Sequence, residues 1–397
     1  MQDSGKPISR KGVQTARPDA AVSAVPAGSE GSALPEGGQD PLVHAAKVCA
    51  ARFKFADNRH PVNAALFDMA LRWCIKDTEA CTLSPDVAPA GVTGATGVTG
   101  APGMTGSPVM TGAGADRTSL DPLDVLQGDM KLPSLPQIVL ELQLIINNPE
   151  SSACDVAALV SRDAGLSAFL LRLVNSAFYS FPSQIDTISR AVTVVGMKQL
   201  SNMALGVAAM DAFKEAGTGR FDMKSFWKHS IAVGSIAQRL AERAKLPEPE
   251  RYFVCGLLHD IGRAALCTSR PGKASLIMRV ALEKRIPLYA AEAEVVGFDH
   301  ARLGGILLRK WNFPFSVTMG VLHHHLPEKS EKFLEPHVVH VADIMAKAIG
   351  LASTEEALVP PLSEEAWSRT GLSVADLQAV ENELDALLAD MFSVLLH

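Results

Sequence analysis

Downstream of residue 120, the apolar segments of this sequence begin with helix-capping signals, and none alternates with a period of two for the length of a strand. Ser134 stands three residues before Gln137, and the apolar run of residues 138–146 follows at once. Ser152 and Asp155 open a second apolar segment in the same way. This pattern predicts an all-α fold.

The last part of the chain predicts a long amphipathic helix. Behind a capping Ser373 and Asp376, the stretch as far as Leu396 carries apolar residues at helical spacing from Leu377 to Leu395. Such a stripe most often packs on the core of its own chain, and contact with a second copy is the alternative. The sequence therefore leaves open whether the chain forms a homodimer through this helix.

The chain divides into regions by composition. Residues 1–40 are rich in Gly, Ser, Pro and Ala and predict disorder, while the more apolar residues 41–82 predict a small helical segment of unknown role. Within residues 83–120, glycine recurs every third position from Gly91 to Gly106, but the triplets are few and Pro102 is the one proline inside the run. This favours a flexible linker over a collagen helix. We expect the main domain at 121–350 and a helical extension at 351–397.

Charge and cysteine usage narrow the functional classes. The formal net charge of −6, from 37 basic and 43 acidic residues, lacks the positive footprint that nucleic acid or an anionic membrane attracts. The six cysteines form no C-x-x-C pair, which predicts reduced thiols rather than a zinc ribbon or a disulfide framework. The polar start and the lack of a long apolar stretch predict a cytoplasmic protein without a membrane span.

Histidines concentrate in one part of the sequence, since eight of the eleven lie between positions 229 and 340. His259 and Asp260 are adjacent in an apolar segment that we expect to be a buried helix ending or bending at Gly262. An imidazole beside a carboxylate that can bridge two ions is a mixed donor set suited to Fe, Mn, Zn or similar divalent metals. Phosphoester hydrolysis is the reaction that such a site serves.

Other residues could complete this site. His229 upstream and Asp343 downstream supply an imidazole and a carboxylate, and His300 with the histidine run 323–325 could supply a second metal. The alternative for any buried histidine is a hydrogen-bonded place in the core. We assign four histidines to the core or the surface: His44, His60, His337 and His340.

Six blocks of sequence, in order, resemble the HDOD domain across residues 131–350. They are LPSLPQ at 132–137, LRLVNS at 171–176, AVTVVGMKQL at 191–200, WKHS at 227–230, GLLHDIG at 256–262 and WNFP at 311–314. The resemblance implies an HD-domain-like helical bundle with an N-terminal helical HDOD subdomain, related to the HD and HD-GYP phosphohydrolases. It also implies a regulatory module of bacterial signal transduction, without established catalysis.

The resemblance implies a ligand set residue by residue. Two departures count against hydrolysis of a cyclic dinucleotide: Arg263 stands where the HD-GYP pattern has a lysine, and no Gly-Tyr-Pro motif follows His325. If the chain is a hydrolase, Asp260 and Arg263 are its candidate catalytic residues. The HD-type ligands fall on His229, His259, Asp260 and Asp343, and the additional HD-GYP-type ligands on His300, His324 and His325.

Two classes of function follow. We expect a regulatory protein in which the HDOD domain is a binding or scaffolding module for a signalling protein or a small nucleotide. The alternative is a metal-dependent phosphohydrolase of the HD type, acting on a nucleotide or cyclic dinucleotide. An intermediate hypothesis is that the domain binds a metal or a nucleotide as a sensor without turning it over. Enzyme activity stays open, and the sequence favours a protein without it.

Overall fold

The computed structural model describes residues 41–57, 59–76, 120–127, 137–176, 179, 181–213, 221–352 and 358–396. Every regular element within these ranges is a helix, which confirms the all-α prediction. The predicted disorder of residues 1–40 and the predicted linker up to residue 119 lie outside the described residues. The boundaries predicted for the regions stay predictions.

Eighteen α-helices and one short 3-10 turn, Pro327–Lys329, make up the described part of the chain. The α-helices are α1 Pro41–Arg52, α2 Pro61–Lys76, α3 Pro122–Gln127, α4 Gln137–Asn147, α5 Ala153–Val160, α6 Ala164–Val174, α7 Ile188–Val195, α8 Met197–Ala212, α9 Met223–Arg243, α10 Pro249–Leu258, α11 Ile261–Ser269, α12 Pro271–Lys284, α13 Leu288–Val296, α14 His300–Lys310, α15 Phe315–Leu322, α16 Glu335–Ala348, α17 Glu364–Thr370 and α18 Val374–Leu395.

Local capping signals set the ends of the first helices of the domain. Helix α4 is described from Gln137 to Asn147, and its predicted cap Ser134 lies outside the described residues. Before α5, the backbone N–H of Ser152 donates to Asp155 Oδ2 at 2.8 Å, which is the predicted capping box. Helix α7 ends where Gly196 takes φ of 101°, a conformation that favours glycine.

Helices α9 and α10 pack at very close range and form the centre of the bundle. A Cβ on Gly256 would lie 2.6 Å from Cα of Gly234, so the two backbones can approach this closely only with glycine at that contact. The contact brings His229 on α9 and His259 at the end of α10 together, with ring centroids 5.1 Å apart.

The chain bends at the histidine–aspartate pair itself. We expected the helix to end or bend at Gly262, but the break between α10 and α11 falls on His259 and Asp260. Gly262 lies inside α11, where a Cβ would be 2.1 Å from the carbonyl oxygen of His300. The glycine therefore permits close packing of α11 on α14, and the break two residues earlier leaves both polar side chains outside regular helix.

The C-terminal helix packs on its own chain. Helix α18 follows a capping box of Ser373 and Asp376 and contacts α9 and α2, as the more common reading of its stripe predicts. Helix α2 also packs on α16, and Arg72 Nη2 lies 2.6 Å from Glu381 Oε2 of α18. The buried stripe consists of Leu377, Val380, Leu384, Leu387, Leu388, Met391, Val394 and Leu395.

The described cysteines differ in state. Cys74 is in a disulfide, so the prediction of six reduced thiols is wrong at this residue. The free thiols among the described residues are Cys49, Cys154, Cys255 and Cys267.

Among the helices that the structure describes, none combines the length and the apolar character that a membrane span needs.

Candidate metal centre

The structure brings the seven predicted ligand residues into one cluster. They come from five parts of the bundle: α9, the break between α10 and α11, the start of α14, the segment after α15, and α16. Six of the seven side chains are at most 3 % exposed, and His325 is half-buried. The residues are His229, His259, Asp260, His300, His324, His325 and Asp343.

Two carboxylate oxygens lie between three imidazoles. Asp343 Oδ1 is 3.1 Å from His229 Nε2 and 3.7 Å from His259 Nε2. Asp260 Oδ1 is 3.3 Å from His259 Nε2 and 3.8 Å from His324 Nε2. Side-chain atoms of His229, His259 and Asp260 lie within 4.8 Å of one another, the spacing of ligands around a shared metal ion.

The same three imidazoles are held through their other ring nitrogen. Each Nδ1 donates to a backbone carbonyl, which can only accept, so the proton is on Nδ1 and Nε2 keeps its lone pair. This second contact is typical of metal-binding histidines, since it fixes the tautomer and the ring direction. The pairs are His229 with Leu351 at 2.7 Å, His259 with Gly256 at 2.7 Å, and His324 with Val321 at 2.8 Å.

Five buried ligand atoms have no hydrogen-bond partner within the described part of the chain. A buried polar atom without a partner costs about 1–3 kcal/mol, so a convergence of five suggests an ion that they would coordinate. His300 Nε2 lies 2.9 Å from one of them, Asp260 Oδ1, but that nitrogen is engaged with His325 Nε2 at 2.8 Å. The five are His229 Nε2, His259 Nε2, His324 Nε2, Asp260 Oδ1 and Asp343 Oδ1.

Buried cations contact the second oxygen of each carboxylate. Arg263 Nη1 donates to Asp260 Oδ2 at 2.8 Å, and Lys347 Nζ donates to Asp343 Oδ2 at 2.9 Å. Burial alone would raise the pKa of Asp260, but the nearby His259, His300 and Arg263 hold it well below its usual value. Both aspartates are therefore ionised at neutral pH, as metal ligands must be, because Lys347 acts on the pKa of Asp343 in the same direction.

The imidazoles divide into two electrostatic groups. Burial lowers the pKa of His259 to about 4 and the pKa of His324 to about 3, which leaves both neutral at pH 7. Burial also lowers the pKa of His300, but Glu292 and Asp260 outweigh it and raise that pKa well above its usual value. Neutral imidazole is the form that binds a metal, so His259 and His324 are in the state that a ligand needs.

Glu292 and Lys347 belong to the cluster and were missed in the sequence. Glu292 Oε2 accepts from the backbone N–H of His300 at 2.7 Å and lies 2.6 Å from its Nδ1. Each had a weak signal: Glu292 is an acid within an apolar helix, and Lys347 stands four residues after Asp343 on one helix face. The Glu292 signal names no partner, because Glu292 and His300 lie on different helices, whereas the spacing of four residues between Asp343 and Lys347 does indicate their contact.

The HDOD family model and one curated protein each match about half of this chain. The sequence model of the HDOD domain matches residues 132–327. An uncharacterized protein of Treponema pallidum (strain Nichols) is 30 % identical over 207 residues, which are 51 % of this chain and 39 % of that protein. This chain therefore spans about two fifths of the length of that relative.

Two solved structures share the fold. An HDOD domain protein from Geobacter sulfurreducens is 26 % identical with a TM-score of 0.60, and the match covers 70 % of this chain and 97 % of that chain. A candidate phosphohydrolase from Shewanella amazonensis SB2B is 27 % identical with a TM-score of 0.54, covering 70 % of this chain and 99 % of that chain. Residues 132–327 therefore form a domain of the HDOD family.

Proposed function

We propose that this chain is a cytoplasmic regulatory protein of bacterial signal transduction, whose HDOD domain binds a divalent metal and recognises a signalling protein or a small nucleotide. One observation supports metal binding. Five buried donor atoms without hydrogen-bond partners lie in one cluster, and three of them belong to imidazoles oriented by backbone carbonyls. Mixed imidazole and carboxylate donors suit Fe, Mn or Zn.

Burial of the centre supports a regulatory role over turnover. A substrate phosphate has to reach the metal, and six of the ligand side chains are at most 3 % exposed. Arg263, the candidate catalytic cation, is itself buried, and its Nη1 donates to Asp260 at 2.8 Å. Its charge is directed at a carboxylate of the centre rather than at an incoming phosphate.

Elemental analysis of the purified full chain tests the proposal. We expect near-stoichiometric Fe, Mn or Zn in the wild type and its loss in Asp260→Asn, because the amide has no negative charge to offer an ion. Glu335→Gln is the matched control, since Glu335 is also a buried acid and lies in an ion pair with Arg251. Metal-free wild type, or equal metal loss in both variants, would contradict the proposal.

A phosphohydrolase is the second candidate. Two observations favour it: the complete ligand set, and the 27 % identity to the Shewanella amazonensis structure named as a candidate phosphohydrolase. A bound metal would lower the pKa of its water and neutralise charge on the phosphoryl oxygens. If metal-loaded wild type hydrolyses bis(p-nitrophenyl) phosphate and Asp260→Asn does not, this second function replaces the regulatory one.

A further inference from the structure

We propose that a groove between α4 and the turn from α14 to α15 binds an amphipathic helix of a signalling protein, with an acidic residue beside the apolar stripe of that helix. The inference rests on the recognition of a signalling protein put forward above, and it adds the surface and the chemistry of the partner. This α4 groove has a volume of about 470 Å³, and its lining includes Leu140, Leu144, Arg309, Phe313 and Phe315.

The α4 groove is bordered by large apolar side chains that face solvent. Leu140 is 44 % exposed, Leu144 is 72 % exposed and Phe315 is 61 % exposed. Among the described residues, no helix other than α4 exposes two large apolar side chains. Single exposed apolar residues are ordinary on a protein surface, whereas several around one concave site mark a binding surface.

The walls of the α4 groove are held in place without a partner. Gln143 Nε2 of α4 donates to the carbonyl oxygen of Trp311, which ties the helix to the turn after α14. The backbone N–H of Phe313 donates to the carbonyl oxygen of Leu308 at 3.0 Å, and the rings of Trp311 and Phe213 lie 5.9 Å apart. A groove that is already ordered binds at a lower entropic cost than one that forms on binding.

The form of the partner follows from the elements around the α4 groove. Every regular element within the described ranges is a helix, so the surroundings offer no sheet edge to which an extended peptide could add a strand. Leu140 and Leu144 are four residues apart and lie on one face of α4. A partner helix with apolar residues three and four positions apart can pack along this face.

The charge of the partner follows from Arg309. It is exposed, it is the one charged residue in the lining of the α4 groove, and no described residue forms an ion pair or hydrogen bond with its side chain. The acid on α4, Glu141, pairs instead with Arg162 at 2.7 Å. A guanidinium without a partner at the edge of an apolar groove favours a carboxylate on the occupant.

The α4 groove and the candidate metal centre lie at opposite ends of α14 and α15. Helix α14 begins at His300 and reaches Arg309 nine residues later, a rise of about 14 Å. Helix α15 begins at Phe315 and ends at Leu322, two residues before His324. Substitutions in the α4 groove should therefore leave the metal content unchanged, which separates a test of the groove from a test of the metal.

Selection of displayed random peptides of about 16 residues on the full chain tests the α4 groove. We expect enriched peptides with apolar residues at helical spacing and an Asp or Glu, and at least about tenfold weaker binding to Leu144→Lys. Leu282→Lys is the matched control, since Leu282 is 54 % exposed on α12, and it should bind as the wild type does. Equal affinity for Leu144→Lys would overturn the groove and leave protein recognition standing, whereas no enrichment would overturn both.

A charge reversal tests the acidic residue of the partner. Arg309→Glu should weaken binding of the best selected peptide, while a peptide with lysine in place of its acid should prefer Arg309→Glu to the wild type. Arg279→Glu is the matched control, because Arg279 is also an exposed arginine on a helix. Weakening without this reversal of preference would overturn the pairing of Arg309 with a carboxylate.

Sedimentation velocity tests a second copy of the chain as the occupant. We expect the wild type and Leu144→Lys to sediment alike as monomers, with equal metal content by elemental analysis. A wild-type dimer that Leu144→Lys dissociates would show that a second copy fills the α4 groove, and it would overturn the proposed partner. A fall in metal content in Leu144→Lys would overturn the separation of the groove from the metal centre.

Discussion

Two polar clusters lie at opposite ends of α10, each with an acidic residue of α16, and they differ in how their charges are satisfied. In the first, the half-buried Arg251 lies 2.8 Å from the buried Glu335 and 2.8 Å from the more exposed Glu248, so each charge faces an opposite charge. In the candidate metal centre, Asp260 and Asp343 each use one oxygen on a cation and leave the other unpaired. The charges of the first cluster are met within the chain, whereas the second leaves two carboxylate oxygens for the metal ion that we propose.

The largest effect is expected from removal of a carboxylate in the metal centre. Asp260→Ala takes away a carboxylate partner of buried Arg263, and breaking a buried pair in this way costs about 3–5 kcal/mol of the free energy of unfolding. Urea denaturation without added metal measures it. Glu335→Ala is the comparison, and we expect a smaller loss because Arg251 is 21 % exposed and keeps Glu248. Equal losses would remove the distinction between the clusters.

His337, two residues after Glu335 of the first cluster, tests whether a single buried nitrogen without a partner is enough to indicate a metal site. His337 is buried, its Nδ1 donates to the carbonyl of Phe333 at 3.0 Å, and its Nε2 has no partner in the described residues. It lies outside the groups of residues that could hold a metal. We therefore expect its unpaired nitrogen to appear as a pH dependence of stability and not as metal binding.

The sign follows from the pKa of His337, which burial lowers from 6.5 to about 4. Between these values the unfolded chain binds the proton and the folded chain does not, so stability is full above pH 6.5 and falls as the pH drops toward 4. The loss from this residue is about 3 kcal/mol at most. The free energy of unfolding measured from pH 7 to 4 should therefore fall less steeply in His337→Gln. Parallel curves for variant and wild type would contradict the assignment.

Metal addition separates the two clusters directly. A ligand that binds only the folded chain stabilises it by about 2.7 kcal/mol at a free concentration of 100 times Kd. We expect Mn²⁺ to raise the urea midpoint of the wild type and of Glu335→Gln equally, and a chelator to reverse the rise. Asp343→Asn should show little rise, because the amide replaces the charged oxygen that lies 3.1 Å from His229 Nε2. A similar rise in Asp343→Asn would place the ion elsewhere.

Local sequence signals predicted the helices, whereas the position of the bend near the candidate site depends on tertiary contacts. The capping boxes at Ser152 and Ser373 lie where the sequence placed them, because a cap involves residues three positions apart. The bend at His259 and Asp260 was predicted at Gly262 instead. That glycine serves the approach of a helix start about 40 residues away in sequence, which no local pattern encodes.

The candidate site was predicted as a list of residues but not as an arrangement. The motifs gave all seven positions, and the structure brings them together, while their role as ligands stays a prediction. The pairing of His300 with Glu292 could not be predicted, because it joins two helices and a sequence does not state which buried charges meet, whereas the pairing of Asp343 with Lys347 follows from a spacing of four residues on one helix. Those pairings decide which ligand atoms are left for an ion.

The smallest effect is expected from a charge pair between α2 and α18 that is exposed on one side. Arg72 of α2 pairs with Glu381 of α18, and the two side chains are 55 % and 9 % exposed. Such pairs contribute about 0.2–1 kcal/mol, and salt screens them. Arg72→Ala should lower the free energy of unfolding by that amount at low salt and by less at 1 M salt, with the Mn²⁺ content unchanged, because α2 docks on the bundle mainly through its buried apolar face. A salt-independent loss above about 2 kcal/mol would show that the pair anchors the helix as a buried pair does.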